Sequence, residues 1–278
     1  MSEPLSVTRA GGALGAHVHG VQLADIVSSP HLLAQVRELA VVHEVLFFRD
    51  QEVPPPVFQA FAECFGEVLD HRAYSTVDDA PKVQVLESTA DAPSKIEVWH
   101  SDMSFSATPP SFTILHGRVI PEYGGDTLWA SATAAYRALS PGMQEFLKGL
   151  TAIHDFRHGF AESLAEPGGP ERLRQAIDEN PPVEHPIVRT HPETGEQALY
   201  VNALFSKRIK ELTAHESANV LEFLFRHIVT EEFTVRLGWQ PNTVAIWDNR
   251  STQHKPVNDF FPQHRRLHRV TIKGDRPR

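Results

Sequence analysis

Hydrophobic positions along this chain come in short runs, and two spacings dominate. Phe58, Phe61, Ala62 and Phe65 stand at i, i+3, i+4 and i+7, which predicts a short amphipathic helix. Leu221, Leu224, Phe225 and Ile228 repeat that spacing behind a Thr213–Glu216 capping box, the clearest helix signal in the sequence. Ser29-Pro30, a cap followed by a first-turn proline, opens another stripe at Leu32, Leu33, Val36, Leu39 and Ala40. Further helices are expected around 132–139, 141–150 and 171–177. Short apolar stretches with branched or aromatic residues predict strands at 45–48, 83–86, 111–115, 126–129 and 152–156. Others fall at 185–189, 198–201, 233–237, 243–247 and 269–272, with a hairpin-type loop at 190–196. Val45-Leu46-Phe47-Phe48 is too short and too apolar for periodicity to decide, and its composition favours a buried strand.

Many short strands divided by Gly and Pro turns, without regular strand–helix alternation, predict a mainly β protein with flanking helices. The expected form is a sandwich or jelly roll. The glycines at 11, 12, 15 and 20 lack the strand–GxGxxG–helix arrangement of a phosphate-binding loop. Residues 157–182 differ from the rest: they are polar and contain Pro167-Gly168-Gly169-Pro170. They read as an insertion, a lid or an oligomer contact, within one domain spanning 1–278.

Composition narrows the class. A formal net charge of -9 argues against a general nucleic-acid binder, though it leaves room for a local basic pocket. Cys64 is the only cysteine, so no intrachain disulfide can form. No secretory signal and no run long enough for a membrane span is visible, so a cytoplasmic enzyme or binding protein is expected.

The candidate chemistry centres on Trp99-His100-Ser101-Asp102. In a strand, side chains at i and i+2 share a face, so a strand end here would aim His100 and Asp102 at one point. A further imidazole would complete the two-histidine, one-carboxylate triad that cradles non-haem Fe(II) with open positions. His254, beyond Val244-Ala245-Ile246-Trp247, is the candidate. A His-x-Asp triplet alone is weak, since the chain has sixteen histidines, and each of these also reads as a surface or loop histidine. The combination with the basic cluster His264, Arg265, Arg266, His268 and Arg269 is stronger. An oxygenase of this kind needs an organic diacid whose far carboxylate meets a buried cation, and the arginine fork suits that task.

Four segments in this order, Trp99 to Phe105, Gly124-Gly125-Asp126-Thr127-Leu128-Trp129, Trp247-Asp248-Asn249-Arg250 leading to His254, and Arg265-Arg266-Leu267-His268-Arg269, resemble the TauD/TfdA family of Fe(II)- and 2-oxoglutarate-dependent dioxygenases. The likeness, closest to the taurine branch, runs almost end to end. It implies a double-stranded β-helix and a homodimer or homotetramer. By the same resemblance, His100, Asp102 and His254 are the iron ligands. Thr127 and Arg265 hold the distal carboxylate of 2-oxoglutarate, with Arg269 reaching towards both cosubstrate and a substrate anion. His71 is the second contact to a sulfonate, and Tyr74, Phe105, Phe160 and Phe205 could wall the pocket. The implied reaction hydroxylates the carbon next to a sulfonate and releases sulfite and an aldehyde. One position departs from the pattern: where the taurine enzymes place an asparagine against the substrate amine, this chain has Ile96. The resemblance implies taurine as the substrate; Ile96 makes longer alkyl sulfonates and alkyl sulfates the alternative. Aryloxyalkanoates rank below them as a further option within the family, and a cupin-like binding protein is the non-enzymatic alternative.

Overall fold

The computed structural model describes residues 4–69 and 74–278. The chain opens with a hairpin of β1 (Ser6–Arg9) and β2 (Ala16–His19), then α1 (Leu23–Ser28) and α2 (Pro30–His43). Ser29 Oγ accepts the Leu32 N–H at 3.3 Å, so the predicted start signal is used. β3 (Val45–Phe48) and α3 (Pro55–Glu63) follow, then β4 (Thr76–Val77), β5 (Ala80–Ser88), β6 (Phe112–Val119) and β7 (Thr127–Ser131). Next come α4 (Ala132–Ala138), α5 (Pro141–Leu147) and β8 (Thr151–His154). The polar stretch holds α6 (Phe156–Gly159), α7 (Ala161–Ala165), α8 (Gly169–Arg172) and α9 (Arg174–Glu179). β9 (Val183–Pro186), β10 (Val188–Thr190), β11 (Gln197–Leu199) and β12 (Ser206–Ile209) precede α10 (Ala214–Ile228), which begins on the Thr213–Glu216 capping box. β13 (Thr234–Leu237), β14 (Val244–Asp248), β15 (Thr252–Pro256) and β16 (Arg265–Thr271) complete the order.

The main sheet runs β1-β2-β3-β14-β6-β16-β5-β4, and β13-β7-β15 forms a smaller one. Strand parity explains the continuous apolar runs. Val45, Phe47, Ala245 and Trp247 point to an interior shared with Trp129 of β7 and Val235 of β13. Leu46, Phe48, Val244 and Ile246 point the other way, into a core with Phe58 and Phe61 of α3 and Ile26 of α1. Both faces of the central strands are covered, so no polar alternation remains to be read. This is the jelly roll with outer helices that the turn-rich pattern predicts. Truncating one of these buried aromatics would cost about 3–5 kcal/mol, so the strands form a stiff frame.

Several local expectations change. No strand forms over 98–105: His100 makes one isolated bridge, and the chain then turns through Met103 at φ 46°. The strand expected at 269–272 begins at Arg265, because β16 is gripped on both sides by β5 and β6. The helix expected at 171–177 is two pieces, broken at Leu173. The strand expected at 152–156 stops at His154, where Asp155 accepts the Arg157 N–H at 2.9 Å and starts a helix instead. The strand expected at 185–189 is two, β9 and β10, on either side of Ile187, and the polar strands β12 and β15 carry no apolar run to announce them. No described helix is long and apolar enough to cross a membrane.

Candidate active site

His254 sits in the middle of β15, opposite Trp129 of β7. Its N–H donates to the His100 carbonyl at 2.8 Å, and the His100 N–H donates back at 3.0 Å. This reciprocal bridge sets the two imidazoles side by side, with ring centroids 4.2 Å apart. The turn after His100 then swings Asp102 into place. Its Oδ1 lies 3.8 Å from His100 Nε2 and 3.9 Å from His254 Nε2. One ligating atom from each of the three lies within 4.8 Å of the others. The two segments thus meet as required, but a tight turn rather than shared strand parity brings Asp102 round.

The electrostatics suit a cation. Burial lowers the pKa of His254 to about 3, helped by His100, and burial also holds His100 below its ordinary value. Both imidazoles are therefore neutral donors, as metal ligation requires. Burial resists ionisation of Asp102, but the Arg269 charge and the Thr113 hydroxyl favour its charged form, and the carboxyl is held below its usual range. The His100 Nδ1 lies 2.8 Å from the Val98 carbonyl, which turns Nε2 inward. Two neutral imidazoles and one carboxylate, converging and buried, form a donor set for a divalent transition metal with positions to spare.

The anion side is built differently. Arg265 lies over the Phe260 ring at 5.7 Å, and its Nε and Nη2 are buried without a hydrogen-bond partner among the described residues. Burial pushes its pKa down to about 10, only partly offset by Asp126, whose carboxylate is taken by Arg236 at 2.6 Å. An enclosed guanidinium with free donors is costly unless an anion meets it. Gly125 makes room for it: at φ +72°, a Cβ there would sit 3.1 Å from Arg265 Cδ. Thr127, at the start of β7, is buried, and its Oγ1 accepts the Trp239 indole N–H at 3.0 Å. Arg269 lies four residues along β16 from Arg265. It donates to Gln84 Oε1 at 2.9 Å and stacks over Tyr74 at 4.5 Å. Its charge is felt at His100, Asp102 and His254 alike.

Phe105 and Phe205 are buried against each other at 4.9 Å, and Phe160 packs near them at 6.4 and 6.2 Å. Phe205 also stands 6.4 Å from the His100 ring. Gly159 permits this, since a Cβ there would lie 2.4 Å from Phe205 Cε1. The cluster continues into the polar stretch through Leu173, Ala176 and Ile177. Ile96 is half-buried, its carbonyl accepting from Asn258 Nδ2 at 3.0 Å. His71 lies outside the described residues. Pattern reading misses Thr113, which bonds Asp102, and Trp239, which bonds Thr127. A threonine and a tryptophan inside β-rich runs look like ordinary core, and only the fold shows their partners.

These features define an iron-type oxygenase centre on a jelly roll. The family described as Taurine catabolism dioxygenase TauD, TfdA family matches residues 3–271, and the chain belongs to it. The chain is an Fe(II)- and 2-oxoglutarate-dependent dioxygenase. It is 34% identical over 278 residues to an alkylsulfatase of Acinetobacter baylyi, covering 99% of this chain and 86% of the relative. It is also 34% identical over 277 residues to an alpha-ketoglutarate-dependent sulfate ester dioxygenase of Pseudomonas putida, covering 98% and 91%. A crystal structure of a taurine dioxygenase from Burkholderia xenovorans superposes with a TM-score of 0.84 at 36% identity, over 99% of this chain and 91% of that one.

Proposed function

We propose that the chain oxidises an alkyl sulfate ester or alkyl sulfonate at the carbon bearing the sulfur group. In this reading His100, Asp102 and His254 hold Fe(II), and Thr127 and Arg265 hold the distal carboxylate of 2-oxoglutarate. Bound iron supplies the activation of oxygen; the protein supplies position and charge. The balance is one 2-oxoglutarate and one O2 giving succinate, CO2 and a hydroxyl on the substrate carbon. A hydroxylated sulfate ester then collapses to aldehyde and sulfate, a hydroxylated sulfonate to aldehyde and sulfite.

The observation that carries this reading is the mismatch between one cation and an apolar wall. Arg269, braced by Tyr74 and Gln84, gives one anchor for a substrate anion next to the triad. Phe205 beside His100, with Phe105 and Phe160 packed against it, offers a hydrocarbon surface. Ile96 gives no side-chain acceptor for an ammonium group, so seating taurine's amine against it would carry an uncompensated desolvation cost. His71 is assigned to the same anion. The names of the Acinetobacter and Pseudomonas relatives support an alkyl sulfate. Taurine itself is the second reading, favoured by the Burkholderia neighbour.

The stretch 157–182 is proposed to act as a lid. Its Leu173, Ala176 and Ile177 close on the phenylalanine cluster, and Glu166 bridges Lys95 and Arg172. The deciding experiment supplies hexyl sulfate, hexanesulfonate and taurine in parallel to the Fe(II)-loaded enzyme and measures succinate, sulfate and sulfite. Coupled release with a hexyl compound well ahead of taurine supports the reading; fastest coupled sulfite release from taurine overturns it. Ile96→Asn is expected to move the preference towards taurine.

A further inference from the structure

We propose that Trp247, Asn249 and Thr113 form a positioning relay that commits one oxygen of Asp102 and leaves the other for the metal. The inference rests on the reading that His100, Asp102 and His254 hold a divalent ion.

The direction of every bond in the relay is forced. An indole N–H can only donate. Trp247 Nε1 lies 3.0 Å from Asn249 Oδ1, so that amide oxygen accepts and the amide NH2 points the other way. Asn249 Nδ2 donates to Thr113 Oγ1 at 2.8 Å. The single hydroxyl proton of Thr113 is then free to point onward, and it donates to Asp102 Oδ2 at 2.6 Å. Oδ2 is thereby engaged, while Oδ1 is the atom facing both histidine Nε2 atoms at 3.8 and 3.9 Å. The Asp102 N–H also reaches Asn249 Oδ1 at 3.4 Å, so the same amide steadies the turn that carries the carboxylate. All four residues are buried, so water does not substitute for these bonds.

The frame explains the placement. Trp247 and Thr113 face each other across β14 and β6, on rigid neighbouring strands. The ligand turn, by contrast, belongs to no strand and is tied down by the isolated His100–His254 bridge and by Ser101 Oγ donating to the Thr252 carbonyl at 2.7 Å. Trp247 has a second task. His254 Nδ1 is buried with no hydrogen-bond partner among the described residues, unlike His100 Nδ1. The Trp247 ring packs on His254 at 4.7 Å and 52°, fixing by contact what a hydrogen bond fixes for His100. One tryptophan thus orients two of the three donors, one by its face and one through its N–H.

The test measures Co(II) binding to metal-free protein by calorimetry, with the ligand-field absorption of the Co(II) complex as a spectroscopic readout. Thr113→Val keeps the shape and removes the proton, and should weaken Co(II) binding about 10- to 100-fold with a shifted band. Thr113→Ser restores the hydroxyl and should recover affinity and spectrum. Trp247→Phe keeps a ring against His254 and loses the N–H, so a smaller loss and a smaller band shift are expected; it also serves if Thr113→Val does not fold. Unchanged affinity and spectrum in the folded variants overturn the relay. So does a Thr113→Ser protein as weak as Thr113→Val, because packing alone would then explain both. Failure of the wild-type protein to bind Co(II), or full binding after His100→Ala, overturns the metal reading instead.

Discussion

Arg250 and Arg265 lie close in sequence, and both are enclosed, yet their surroundings are opposite. Arg250 holds Asp248 through Nε at 2.8 Å and Nη2 at 2.6 Å, and Glu193 through Nη1 at 2.6 Å. Asp248 also takes His191 at 3.0 Å. Burial resists both charges of this pair, but mutual attraction wins: the carboxyl is held well below its usual range and the guanidinium is raised. Arg265 has buried nitrogens with no partner among the described residues, and burial lowers its pKa. A satisfied buried charge pins a loop, here the one between β14 and β15. An unsatisfied one is held ready for something the chain does not itself provide.

Breaking the first arrangement should give the largest effect on stability. Arg250→Met leaves Asp248 buried without its main partner and should cost about 3–5 kcal/mol in urea unfolding. Glu44 lies in the same region and sharpens the contrast. It is fully buried, accepts from Ser131 at 3.0 Å, and burial raises its pKa to about 8. Its folded pKa lies above its unfolded one, so the unfolded chain loses the proton first as pH rises. Stability should therefore fall between about pH 4.5 and 8, by at most about 1.4 kcal/mol per unit. Glu44→Gln should flatten that slope in melts taken across the range.

Arg265→Met should do the reverse of Arg250→Met. Succinate formation should need about 100-fold more 2-oxoglutarate, about 2.7 kcal/mol of lost binding, while the metal-free protein melts no lower than wild type. A large fall in melting temperature would erase the distinction between the two arginines. The smallest effect belongs to an exposed pair: Lys95→Ala, which leaves Glu166 paired with Arg172 alone, should change unfolding free energy by less than about 1 kcal/mol.

Much of the site is legible in the chain because its donors sit in compact motifs. His100 with Asp102, Thr127 with Gly125, and Arg265 with Arg269 are each local, and the structure brings the histidines and Asp102 together. The reason given for the His100–Asp102 pairing does not survive, since a turn at Met103 replaces the strand. β15, which carries His254, is Thr-Gln-His-Lys-Pro, a strand by its neighbours rather than by its own residues. Thr113 and Trp239 are invisible for a related reason: their importance lies in hydrogen bonds, Thr113 between Asn249 and Asp102 and Trp239 to Thr127, that only the fold brings within reach. The central strands hide their parity because both faces are covered.

The bridge between His100 and His254 joins points more than half the chain apart. Folding must close that span before the three donors meet, and contacts of high sequence separation form slowly. No early intermediate organised around local helices such as α2 or α10 can own the site. Metal added during refolding should therefore report the last docking events rather than the first collapse, and it would draw the folding equilibrium towards the one topology in which both halves are in register.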